Sequence, residues 1–188
     1  MTSTTRQLLA SARMLLVLTV LLGVLYPAAV WAVGRVGLSG QADGSLVRRD
    51  GAVVGSSLLG QDFQGDRWFT GRPSSSAYAG SSSGGSNLAA SSADQVKAVR
   101  ERAAAYRAAY GVAAPADALT ASASGLDPHV SPANALAQVH RVAVANGLPE
   151  TAVERLVEQH TQGRVMGFLG EPRVNVLELN LALERMGR

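Results

Sequence analysis

From Met14 to Gly34 the chain runs for 21 residues without a charged side chain, MLLVLTVLLGVLYPAAVWAVG. At 1.5 Å per residue a helix of that length covers roughly 31 Å, the thickness of a bilayer's hydrocarbon core, so a single span over residues 14–34 is expected. Tyr26 and Trp31 stand toward its C-terminal end, where amphipathic aromatics favour the interface, and Pro27 kinks such a helix rather than forbidding it. A cleaved signal peptide is the competing reading. Arg6 and Arg13 make a positive n-region, residues 15–25 an apolar h-region, and Val30-Trp31-Ala32 a passable cleavage site. The uninterrupted length favours the anchor, and an intact mass placing the first residue near Val33 would reverse that.

Beyond the span the chain is electrically balanced. It carries 17 Lys+Arg against 14 Asp+Glu in all, but Arg6, Arg13 and Arg35 flank the apolar run, leaving 14 basic and 14 acidic groups in residues 37–188. A neutral domain with one lysine, Lys97, and no basic run lacks the cationic face that nucleic-acid binding needs. The absence of cysteine removes thiol catalysis, Cys-ligated metal sites and disulfides. Charge does not orient the span, because Arg6 and Arg13 on one side face Arg35, Arg48 and Arg49 on the other. A short tail (1–13) before a long domain suits an N-in signal anchor, which places residues 37–188 outside the cytoplasm.

The soluble part reads as a small mixed α/β domain of the α+β class. Leu46-Val47 and Ala52-Val53-Val54 flank Arg48-Arg49-Asp50-Gly51, a hairpin with Gly51 free to take positive φ. Residues 61–70 carry Phe63, Trp68 and Phe69, which predicts a strand or extended edge stopped by Gly71-Arg72-Pro73-Ser74. Residues 74–86 are serine- and glycine-rich and form a mobile or wrapped surface loop. Ser92 with Gln95 fits a capping box, and Val96, Val99, Ala103, Tyr106 and Tyr110 recur at helical spacing before Gly111. Ser131 as N-cap and Pro132 open a helix with Leu136, Val139, Val142 and Ala143 on one face, closed by Gly147. A short helix comes next over residues 150–159. Residues 175–186 can be read with a period of two, but Asn175 with Glu178 makes a capping-box-like start and the residue types favour helix.

Candidate chemistry is sparse. His129, His140 and His160 are scattered, without the spacing or carboxylate partners of a metal shell. Gly84-Gly85-Ser86-Asn87 has no lysine after it and reads as a structural turn, and Lys97 lies on the polar side of its helix, unsuited to a Ser–Lys dyad. The run Leu119-Thr120-Ala121-Ser122-Ala123-Ser124-Gly125-Leu126-Asp127-Pro128 leads into the N-terminus of the helix at Pro132, a place that attracts anions. Gln138, two turns into that helix, offers an amide donor and acceptor of the kind that reads a nucleobase; the bland alternative is an ordinary exposed helix residue. A serine hydrolase would have to pair Ser122 or Ser124 with His129 or His140.

Several blocks stand in order along the chain: the span ending in Tyr26-Pro27, Gly44-Ser45-Leu46, Gly55-Ser56-Ser57-Leu58-Leu59-Gly60-Gln61, Gly71-Arg72-Pro73-Ser74, Ser83-Gly84-Gly85-Ser86-Asn87-Leu88, the run from Leu119 to Pro128, and Val174-Asn175-Val176-Leu177-Glu178-Leu179-Asn180-Leu181-Ala182-Leu183. Together they resemble, over nearly the whole chain, the KdpC family, the small subunit of the bacterial high-affinity potassium-transporting Kdp ATPase. Trp68-Phe69 stands where a Tyr-Phe pair is usual. The resemblance implies a single-pass inner-membrane protein assembled with a channel-like potassium-translocating subunit, a P-type ATPase subunit and a very small fourth subunit. It also implies a catalytic chaperone that raises the ATPase subunit's affinity for ATP, binds no cofactor tightly itself, and offers Gln138, with Ser122, Ser124 and Gly125, as nucleotide contacts. A domain outside the cytoplasm cannot touch cytoplasmic ATP, so coupling through membrane subunits is the stronger expectation. Without the resemblance, an anchored extracytoplasmic binding module or a small serine hydrolase would remain.

Overall fold

A computed structural model describes residues 2–187, which divide into two units at Leu46 and Val47. In the first unit the helix outruns the uncharged stretch at both ends: α1 (Ser3–Val20), a π-helical turn over Leu21–Leu25 and α2 (Tyr26–Gly37) are continuous. The π-turn has a covalent cause. Pro27 has no N–H for the carbonyl of Gly23 and its ring crowds that carbonyl, and widening the preceding turn relieves both. The 35-residue helix is long and apolar enough to cross a membrane. A single turn, α3 (Ser39–Ala42), comes after it, with Arg35 Nη1 on Asp43 Oδ1 at 2.5 Å.

The expected hairpin, β1 (Leu46–Arg49) and β2 (Ala52–Ser56), starts at the boundary, and all of it but Leu46 belongs to the second unit. Its two turn residues, Asp50 and Gly51, have φ of 49° and 82°, the positive values that match the twist of paired strands. The helices are α4 (Ala93–Tyr110), α5 (Ala116–Leu119), α6 (Pro132–Asn146), α7 (Glu150–Gln159) and α8 (Val176–Met186). A three-stranded antiparallel sheet has β5 (Arg173–Asn175) between β3 (His129–Val130) and β4 (Thr161–Gln162), with Val174 opposite both Val130 and Thr161.

The core lies between that sheet and α6, α7 and α8. Val139, Val142 and Ala143 of α6, Val153, Leu156 and Val157 of α7, and Val176, Leu179 and Leu183 of α8 supply its stripes, with Val130 and Val174 from the sheet. Ser131 caps α6, its Oγ accepting from Asn134 N–H at 3.1 Å, and Asn175 caps α8 by accepting from Glu178 N–H at 3.1 Å. Gly111 and Gly147 end α4 and α6 at φ of 70° and 65°.

Four expectations change. Residues 61–70 form no strand: Phe63, Trp68 and Phe69 do turn inward onto the core, but among the described residues no neighbouring strand pairs with theirs. Ser92 occupies the N-cap of α4 by backbone conformation only, its side chain making no cap bond, so there is no capping box. Leu136 and Val96 lie outside their helices' buried faces and are exposed. Gln138 is not an exposed helix residue, being only 1% exposed.

Candidate functional site

The buried residues of α6 are Asn134, Ala135, Gln138, Val139, Val142 and Ala143, so Gln138 occupies a core position at helical spacing. Asn180 does the same in α8, between Leu179 and Leu183. A carboxamide there must find partners, and both find backbone. Asn180 Oδ1 accepts from Phe69 N–H and its Nδ2 donates to Phe69 O, each at 2.9 Å. Gln138 Oε1 accepts from Thr70 N–H at 2.8 Å and from Thr70 Oγ1 at 3.1 Å, while its Nε2 donates to Thr70 O at 3.2 Å and to Asn134 Oδ1 at 3.2 Å. Arg141 donates to Trp68 O at 2.9 Å and Gly65 O at 3.1 Å, and Asn146 donates to Arg67 O at 2.8 Å. The extended segment expected as a strand thus has its hydrogen bonds supplied by side chains of two helices.

The polar chain continues outward from Gln138. Asn134 Oδ1 also accepts from the Tyr106 hydroxyl at 3.0 Å. Asp117 takes Asn134 Nδ2 at 3.1 Å and both the N–H and hydroxyl of Ser131 at 2.8 Å, which fixes the start of α6. Burial first, then the neighbouring Tyr110 and Asp117, push the Tyr106 phenol up to about 12, so it stays a hydrogen-bond donor.

Ser122, Ser124 and Gly125 are brought together in a second cluster, where the loops of the sequence blocks converge. Gly125 takes φ of 68°, and a Cβ on it would lie 2.3 Å from Ser76 Oγ and 2.8 Å from Gly84 O. Its carbonyl accepts from Ser74 Oγ at 2.7 Å, Gly84 N–H donates to Ser124 O at 2.8 Å, and Ser122 N–H donates to Pro73 O at 3.2 Å. The serine-rich loop is therefore wrapped and stitched to residues 122–125. Gly60 meets the same place, its N–H on Leu126 O at 2.8 Å. Arg72 and Asp127 pair at 2.8 Å, and Tyr78 donates its hydroxyl to Arg72 O. Burial raises the Asp127 carboxyl, but the nearby His129 side chain, the hydrogen bond from His129 N–H and the hydrogen-bonded Arg72 guanidinium outweigh it, leaving the group at about 2. Tyr78 goes the other way, to about 12, through burial and then the charges of Asp62 and Asp127, against Arg72.

Two clefts flank these clusters. One of about 410 Å³ is lined by Thr70, Arg72, Tyr78, Tyr106, Tyr110 and Asn134 among others, and Gln138 sits behind its wall. Another of about 640 Å³ is lined by Leu58, Leu59, Ser122, Ser124 and Asp127 among others. The structure does not bring Gln138 to the serines: its bonds run to Thr70, Asn134 and Arg141, theirs to residues 73–84 and to their own loop. Among the described residues no hydrogen bond joins Ser122 or Ser124 to His129 or His140. His129 faces Asp127 at 3.6 Å, and exposed His140 meets Glu150 at 2.6 Å. Sequence reasoning missed Asn134, Asn180, Arg141 and Asp117, although a polar residue at a stripe position was a readable signal for Asn180.

An apolar helix long enough to cross a membrane, followed by one small α+β domain whose polar side chains mostly serve its own backbone, is the layout expected of a membrane protein held by one N-terminal helix. The family described as KdpC, K+-transporting ATPase, c chain, matches residues 8–185. The chain is 56% identical to a Potassium-transporting ATPase KdpC subunit of Kineococcus radiotolerans, over 97% of this chain and 95% of that one. It is 54% identical to one from Sorangium cellulosum (91% and 93% covered) and 48% identical to one from Mycobacterium bovis (96% and 99%). The chain belongs to the KdpC family, and is thus a subunit of the Kdp potassium-transporting ATPase.

Proposed function

We propose that this subunit is non-catalytic, assembles and stabilises the Kdp complex, and raises the ATP affinity of the P-type ATPase subunit by coupling through the membrane, without holding nucleotide in its own domain. Its N-terminus is cytoplasmic and residues 37–188 face outward, beside the channel-like potassium-translocating subunit and the small fourth subunit of an inner-membrane assembly. ATP acts on the complex through the ATPase subunit, and no cofactor is bound tightly here.

One observation carries the preference for coupling. The Gln138 carboxamide is buried, and both its oxygen and its nitrogen are engaged by Thr70, Asn134 and Arg141. Reading a nucleobase would require breaking those bonds and opening the helix against the core. The test compares ATP dependence of hydrolysis by the complex with and without this chain, alongside equilibrium ATP binding to the purified full-length chain in detergent. Half-saturation at several-fold higher ATP without the chain, and no saturable binding by the chain alone, are the expected results. Saturable binding by the chain alone overturns coupling and returns Gln138, with Ser122, Ser124 and Gly125, to nucleotide contacts. Protease digestion of intact spheroplasts checks the orientation, and full protection of residues 37–188 reverses it.

A further inference from the structure

The cleft of about 410 Å³ beside Thr70, Arg72 and Tyr106 has walls whose side chains turn their donors into the protein. The Tyr78 hydroxyl donates to Arg72 O, that of Tyr106 to Asn134 Oδ1 at 3.0 Å, and Ser74 Oγ to Gly125 O at 2.7 Å. Gln61 gives an N–H to Val54 O at 3.0 Å, and Gln64 gives one to Asp62 Oδ1 at 2.6 Å. What these groups have left is mainly acceptor capacity: hydroxyl lone pairs, amide oxygens and the Asp62 carboxylate. Charge runs the same way. Arg72 is neutralised by Asp127 at 2.8 Å, and Tyr78 and Tyr106 are held as neutral phenols, so among the described residues exposed Asp62 is the one charge on the lining without a counter-ion. Aromatic faces complete the wall. The Tyr106 and Tyr110 rings pack with centroids 4.4 Å apart and planes tilted by 55°, and Phe63 and the Tyr78 ring join them. Arg141 lies 5.5 Å from the Tyr110 centroid, but it does not line the cleft and has Asp66 at 3.4 Å.

We propose that this cleft binds a small organic cation, a primary ammonium head on a short alkyl body. The head's N–H groups need acceptors and a carboxylate, and its positive charge is drawn to the faces of phenol rings. The same inventory disfavours an anion, because the Arg72 guanidinium is already engaged by Asp127 and the Asp62 charge repels it. A bare alkali ion is disfavoured by shape. Such an ion needs oxygens closing around it in place of its water, whereas these acceptors are spread along walls that also carry Phe63, Pro73, Ala77 and Ala118, apolar surface that an organic body covers. The volume lies at the small end of ligand pockets. With one exposed carboxylate the affinity is low, so the ligand is one that comes and goes and not a resident cofactor. The inference needs neither the ATP coupling nor the orientation proposed above, and its test is read on this chain alone.

The experiment titrates n-butylammonium chloride into the purified full-length chain in nonionic detergent at constant ionic strength, read by saturation-transfer NMR with micelles alone as the blank. Saturable transfer to butylammonium is expected, with none to butanoate or n-butanol. Asp62→Asn should bind about fivefold more weakly and Tyr110→Leu about threefold, with the thermal midpoint of the Asp62 variant unchanged because that side chain is exposed. Exchanging NaCl for KCl should leave the wild-type curve in place. No saturable transfer, or butanoate or n-butanol binding as tightly as butylammonium, overturns the proposal, and so does unchanged binding by Asp62→Asn. A curve that KCl shifts and NaCl does not assigns the cleft to an alkali ion and overturns it too. Since the three ligands are compared on the wild-type chain, the result stands even where a variant folds poorly.

Discussion

A carboxamide whose oxygen and nitrogen meet the N–H and C=O of one residue does what a neighbouring strand would do, without needing a strand. Asn180 does this for Phe69, and Gln138 does it for Thr70. Removing either leaves two buried backbone groups bare, so Gln138→Ala and Asn180→Ala should each cost about 2–4 kcal/mol in urea unfolding followed by circular dichroism. Because both hold adjacent residues, the double variant should lose less than the two single losses together, by about 1 kcal/mol. A second residue-scale effect concerns pH. Asp127 is held at about 2 in the folded chain, below its ordinary value of 3.8, so its contribution is present above about pH 4 and disappears as the pH falls toward 2. Asp127→Asn should flatten that part of the stability curve and leave the neutral region's slope unchanged. At this scale the sequence was half legible. Gln138 stood out for its chemistry, but only its place in the stripe with Ala135, Val139 and Val142 says which way it points. Asp117 could not be read at all, because its partners Ser131 and Asn134 lie far along the chain and meet it only in the fold.

Elements were legible where a local signal fixes them. The hairpin follows from Asp50-Gly51, α6 from Ser131-Pro132 and Gly147, and α8 from Asn175 and Glu178. Residues 61–70 failed because apolar and aromatic content announces burial, not a ladder, and the partners of their backbone groups came from side chains of helices distant in sequence. Ser92 failed because a side-chain cap depends on a rotamer that residue type alone leaves open. Two glycines separate backbone strain from crowding. Both Gly147 and Gly125 have positive φ, yet a Cβ meets nothing within 4 Å at Gly147 and meets Ser76 Oγ and Gly84 O below 3 Å at Gly125. Gly147→Ala should therefore cost about 1 kcal/mol and Gly125→Ala at least twice that, both read from urea midpoints at equal m-value. If the two cost the same, the wrapped loop contributes nothing to the extramembrane domain.

At the scale of the whole molecule, the sequence announced one spanning helix and a small mixed domain, but not that its glycine-bearing blocks meet at Gly60, Gly125 and Asp127. Convergence of that kind is set by chain topology, which no window along the sequence contains. The core of the second unit draws on no residue before Phe63 and so should be self-sufficient. A fragment beginning at Asp43, which keeps β1 whole, should unfold at the same urea concentration as the full chain in detergent; a clear drop would mean that the helix unit stabilises the domain. The two carboxamide pairings carry a last consequence, in the language of isotope exchange. Phe69 and Thr70 belong to no helix or strand, and amides in such segments ordinarily trade their hydrogens with solvent early. Here each is clamped by a side chain rooted in a core helix, so in heavy water both should keep their protons as long as Val142 and Leu179 do, a patch of slow exchange stranded in a loop.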